Sequence, residues 1–202
     1  MRKIVSSLIL CCVICAAFWI TSICSDRYYL DQELIRIHIV ANSDSESDQD
    51  IKLQVRDAIC RSIASDLERV QNAEEAFSYL RNNLSKLRNI ANQVLEEAGV
   101  DMEATISLGK EVFTTREYDT FRLPAGIYKT VRIILGEGNG ENWWCVAFPS
   151  LCSTETVFQY EEAAACAGMS SLLVDSLKIT PNYELRFWVL DLIGNIAACF
   201  YE

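Results

Sequence analysis

The chain has 202 residues, half of them hydrophobic, which is enough for one substantial core and one domain. Its 18 basic residues face 28 acidic ones, a net charge of −10. Because Arg2 and Lys3 sit in an N-terminal segment of their own, the rest of the chain is two units more acidic still. Such a surface argues against nucleic acid and against anionic lipid headgroups as partners.

Residues 1–25 stand apart. Arg2-Lys3 precedes an uncharged run from Ile4 to Ser25 that is long enough to span a bilayer, as a secretory signal peptide or a single membrane anchor. No clean Ala-x-Ala cleavage site follows, and the bulky residue before Cys24 makes a poor lipoprotein signal. The positive-inside rule holds Arg2-Lys3 in the cytoplasm and sends everything after Ser25 outside. Membrane contact is expected only through residues 4–24, and residues 26–202 are expected to form one extracytoplasmic domain.

Asp26 to Glu33 reads as a polar linker. In Leu34 to Val40, Ile35, Ile37 and Ile39 alternate with Arg36 and His38, the pattern of a half-buried strand. Asn42-Ser43-Asp44-Ser45 is a turn rich in capping residues, with Ser45 and Asp48 placed like a capping box. The helix it opens runs to about Arg69, with Ile51, Val55, Ile59, Ile63 and Leu67 on one face. Asn72 to Glu75 starts a second helix, whose apolar stripe runs from Phe77 to Ala98 and which Gly99 closes.

Met102 to Leu108 and Glu111 to Tyr118 read as two strands, and Pro124-Ala125-Gly126 as a turn. Ile127 to Leu135 and Trp143 to Phe148 read as a β-hairpin around a glycine-rich turn. The second arm lacks polar alternation, which places it in mid-sheet, and Pro149 ends it. Gly136-x-Gly138-x-Gly140 is not a phosphate cradle, since a strand follows it and Glu137 and Glu141 would repel an anion. Thr154 to Leu177 reads as helix, Pro181-Asn182 as a turn and Glu184 to Leu192 as a last strand. The expected class is α+β, with helices on one face of a mostly antiparallel sheet.

Few residues suggest chemistry. His38 is the single histidine, and a cysteine hydrolase would pair it with Cys60, Cys145 or Cys152. The plainer reading is a polar-face residue beside Arg36. Zinc-type spacing is absent outside the N-terminal run. Asp44, Glu46, Asp48 and Asp50 alternate like calcium ligands but lack the loop glycine and the closing glutamate, so they read as a solvated helix start. No metal or cofactor is expected. Beyond the N-terminal run lie Cys60, Cys145, Cys152, Cys166 and Cys199. Cys145 and Cys152, on either side of Pro149, are the candidate disulfide, with buried free thiols the alternative.

Ile35 to Ser45, with Asp48-Gln49, Lys52 to Ala58, Pro124 to Tyr128 and Gly136 to Cys152, resembles the stage II sporulation protein R family. The resemblance covers about residues 34–152, plus the expected last strand near Leu185 to Leu192. It implies an exported signalling protein of endospore formation and not an enzyme. Such a protein passes from the forespore into the space between forespore and mother-cell membranes. There it activates a membrane-embedded aspartic protease, which processes the precursor of sigma factor E. The residues expected to touch that partner are Asn42, Asp44 and Ser45 of the polar turn, with Trp143 and Trp144. In a strand these adjacent tryptophans face opposite sides of the sheet, so one is expected in the core and the other in the contact.

Overall fold

A computed structural model describes residues 2–149, 157–179 and 184–201, without the side chains of residues 157 and 158. In chain order the elements are α1 (Arg2–Glu33), β1 (Ile35–Val40), α2 (Glu46–Leu67), α3 (Ala73–Asn82), α4 (Leu84–Glu97) and β2 (Ala104–Phe113). The short strands β3 (Arg116–Glu117) and β4 (Arg122–Leu123) follow, then β5 (Gly126–Leu135), β6 (Asn142–Phe148), α5 (Val157–Cys166), α6 (Ser171–Leu177) and α7 (Glu184–Cys199). The class is α+β, and the main sheet has the strand order β2-β5-β1-β6.

That order corrects the hairpin. β5 and β6 are joined by the glycine-rich loop but are not neighbours. β1 lies between them, parallel to β5 and antiparallel to β6, which makes β6 an edge strand. The physical reason lies in the residues just after β1. Ala41 O and Asn42 O accept the amides of Gly140 and Asn139, so the loop closes over the end of β1 and carries the chain past it.

Helices on a single face are the second correction, because both faces are covered. On one face Ile35, Ile37 and Ile39 of β1, with Val131 and Ile133 of β5, pack on α2, α3 and α4. On the other, Tyr128, Phe113 and Val146 pack with the last turns of α1 and with α5, α6 and α7. Glu184 to Leu192 is therefore part of a helix and not a strand. The segment is apolar and aromatic enough for either form, and its packing on β5, α1 and α6 decides the matter. Gly194 has a role in that packing, since a Cβ there would lie 1.7 Å from Ala125 O.

Asp26 to Glu33 is not a linker. It continues α1 without a break, and Asp26, Arg27 and Leu30 are buried in the domain. Arg27 Nη1 donates to Ala125 O at 2.8 Å, and Arg186 Nε of α7 donates to Asp26 Oδ2 at 2.8 Å. The expected helix from Asn72 to Gly99 divides at Asn83, whose side-chain amide donates to Tyr79 O and closes the last turn of α3. The two strands read between Met102 and Tyr118 are mainly one, β2. Thr154 to Leu177 holds two helices separated at Gly168, which has φ +80°; Thr154 itself lies outside the described residues. Ser45 caps α2 as expected, its hydroxyl accepting from Asp48 N.

A tryptophan and arginine cleft at the sheet edge

The side of β6 away from β1 borders a cleft of about 950 Å³, walled by α2 and by the segment that carries β3 and β4. Strand alternation sets its chemistry. Trp143 and Cys145 pair across from Ile39 and Ile37, so they share the α2 face, while Trp144 and Val146 pair with His38 and Arg36 on the other. Both tryptophans are half-buried and line the cleft. Arg56 of α2 lies over the Trp143 ring, 4.6 Å from its centroid. Trp144 is held between two partners: His38 stacks on it at 5.7 Å and 15°, and the Arg116 guanidinium lies 3.4 Å from its ring centre.

Beneath this edge sits a fully buried arginine. Arg36 Nη2 donates to the Tyr118 hydroxyl at 2.5 Å, and its guanidinium lies 3.8 Å from the centre of the Phe113 ring. Its Nε and Nη1 find no hydrogen-bond partner among the described residues, and neither do Arg116 Nε and Trp143 Nε1. Burial, with the nearby Arg36 charge, lowers the Arg116 pKa. Burial pushes the Tyr128 phenol up to about 12, which keeps it a neutral donor to Pro124 O at 2.6 Å. The cleft therefore gathers two tryptophan faces with Arg56 and Arg116, a composition common at protein interfaces.

The polar turn occupies a different place. Asn42 Oδ1 accepts from Glu137 N at 3.0 Å, and Asp44 Oδ1 accepts from Glu141 N at 2.7 Å. Asp48 Oδ2 accepts from the Ser43 hydroxyl and from Asn42 Nδ2, and these bonds, Ser43 first, lower its pKa. Lys52, almost wholly buried, donates to Glu141 O at 3.1 Å. Asn42, Asp44 and Ser45 thus brace the glycine-rich loop and the start of α2, and the cleft is lined by Trp143 and Trp144 instead. Arg36, Arg116 and Tyr118 were not singled out from sequence. The one available signal was an arginine alternating with isoleucines in a strand that proves central.

The hydrolase pairings do not assemble among the described residues. His38 Nδ1 lies 2.9 Å from Glu111 Oε2 and Nε2 lies 2.7 Å from Asn142 Oδ1. Cys145 faces the opposite side of the sheet and is disulfide-bonded. Burial raises the Cys60 pKa, which disfavours the thiolate. Cys152, the other half of the expected disulfide, lies outside the described residues.

The model of the family described as stage II sporulation protein R matches residues 31–157. The stage II sporulation protein R of Bacillus subtilis (strain 168) is 37% identical over 123 residues, which cover 61% of this chain and 55% of that protein. The chain thus spans about half the length of the curated relative it matches. No solved structure matches the chain.

Proposed function

The chain belongs to the stage II sporulation protein R family, and on that premise we propose that it is an exported activator of the membrane-embedded aspartic protease that processes the sigma factor E precursor. Family membership supports a sporulation role, and the apolar part of α1 fits a signal peptide or a transmembrane segment. In this reading the domain is delivered from the forespore into the space between the two membranes and stays attached through α1. The continuity of α1 into the core supports attachment, since cutting near Ser25 would sever a helix whose next turns are buried.

The observation that carries activation by contact is the edge cleft. It combines half-buried tryptophans with arginine, the residue types that dominate protein interfaces. Asn42, Asp44 and Ser45 act in this proposal by shaping the loop and not by touching the partner.

The test is co-expression of the chain with the protease and its substrate in a non-sporulating cell. Trp144→Ala and Arg116→Ala should reduce processing while the protein still accumulates and melts cooperatively. His38→Ala should leave most of it. Loss of all processing in His38→Ala with normal melting would favour the cysteine hydrolase, and full activity in both cleft variants would remove the cleft from the mechanism.

A further inference from the structure

Helix α1 fixes where a bilayer stands relative to the domain, because no hinge separates the apolar run from the buried turns. About 20 residues at ~1.5 Å rise cross a ~30 Å hydrocarbon core. Counted from Ile4, the crossing ends near Ile23. The first turns of α7 are tied to that level. Arg186 Nη2 donates to Ser22 Oγ at 2.7 Å, and Arg186 also pairs with Asp26 one turn further on. On either side of Arg186, Leu185 is 65% exposed and Trp188 is 60% exposed. An aliphatic and an indole side chain thus stand uncovered beside the point where the chain leaves the membrane.

We propose that the first two turns of α7 dock on the outer leaflet, with Leu185 and Trp188 inserted at the headgroup boundary. The inference rests on the reading of α1 as a retained span. Tryptophan suits this depth, since its ring is apolar and its N–H can still reach polar headgroups. The occupant is lipid because position selects it: the contacts of Arg186 with Ser22 and Asp26 hold these side chains where the leaflet must be. The chain is acidic, and no basic residue other than the buried, paired Arg186 lies in this part of α7. The docking is therefore apolar, is not strengthened by anionic lipid, and is insensitive to salt. Its effect is to hold the domain in one orientation over the membrane.

The four tryptophans allow a test with the full chain, reconstituted in phosphatidylcholine vesicles that carry bromine at a shallow or a deep acyl position. Trp188→Phe and Trp19→Phe are compared with wild type, and circular dichroism verifies folding. Shallow bromine is expected to quench a component of the wild-type emission that disappears in Trp188→Phe. Acyl-chain bromine at either position is expected to quench a further component that disappears in Trp19→Phe, whose ring lies ~6 Å inside the boundary. Equal shallow quenching in wild type and Trp188→Phe overturns the docking, even where Trp19 still reports a span. Absence of any quenched component that depends on Trp19, with bromine at either position, overturns the span itself and the docking with it. Trp188 emission shielded from both acrylamide and bromine, in proportion to protein density, assigns this face to a second copy of the chain and also overturns the proposal.

Discussion

Replacing Arg36 by Met should leave the fold nearly as stable as before while weakening activation. Two interactions are lost. The charged bond to the Tyr118 hydroxyl is worth ~1.5–3 kcal/mol, and the contact with the Phe113 face about 2 kcal/mol in a dry site. Against this, Nε and Nη1 are buried without partners, and each unpaired donor costs ~1–3 kcal/mol. Met fills the volume of the aliphatic stem and brings no donors. The terms nearly cancel, so stability should change by less than ~2 kcal/mol in either direction. For a domain of this size that is a Tm shift below ~8 °C. Phe113→Ala is the contrast, removing a buried ring at a cost of ~3–5 kcal/mol. The assay is thermal melting of the full chain in detergent, run beside the co-expression assay. Arg36→Met should melt normally and process less substrate, because Tyr118, which lines the cleft, loses the donor that holds its hydroxyl. A Tm loss of more than about 10 °C would refute the reasoning, since it would show that the buried guanidinium is net stabilising.

Ser45→Ala removes the α2 cap and should cost ~1 kcal/mol, read as a Tm lower by ~2–4 °C with activation retained. Asp48 has a lowered pKa in the folded chain, so its bonds to Ser43 and Asn42 stabilise above the unfolded carboxyl value of 3.8 and are lost as pH falls through the folded value. Asp48→Asn should therefore flatten the acid limb of the stability profile, and an unchanged limb would count against it. Gly140→Ala would place a Cβ 2.2 Å from Ser43 O, backbone against backbone. It should destabilise by ~1–3 kcal/mol in a denaturant titration, and unaltered stability would mean that the loop is not clamped over β1.

Local chemistry was readable where it decided the outcome alone. Ser45 with Asp48 marked the start of α2, and the isoleucines of β1 marked the strand and its buried face. Where a tertiary neighbour decided, the sequence was silent or misleading. Arg36 and His38 looked like a solvent face, but β1 is central and α1 and α7 cover that side, so Arg36 is wholly buried. The aromatic run from Leu185 to Leu192 has strand composition, and only its partners make it helical. Gly136 and Gly138 do take positive φ, of 56° and 67°, yet the turn they permit reaches over a strand instead of joining two neighbours. Of the candidate site, the tryptophan pair was legible as adjacent aromatics in a strand. Its arginines were not, because Arg116 reaches Trp144 from a segment distant in sequence.

The insertion of β1 between β5 and β6 bears on the order in which the chain can fold. Ile37 must find Val131 on one side and Cys145 on the other, both roughly a hundred residues further along the chain. The central strand is thus the first to be synthesised and among the last to be enclosed, with a large loop-closure cost met before any pairing rewards it. Until β5 is available, β1 has no strand to pair with, and α2 to α4 have only part of their apolar surface to pack on. A chain built this way remains open while its C-terminal half is still being delivered. That suits the export proposed above, since a domain that closed early could not be threaded through a membrane in extended form.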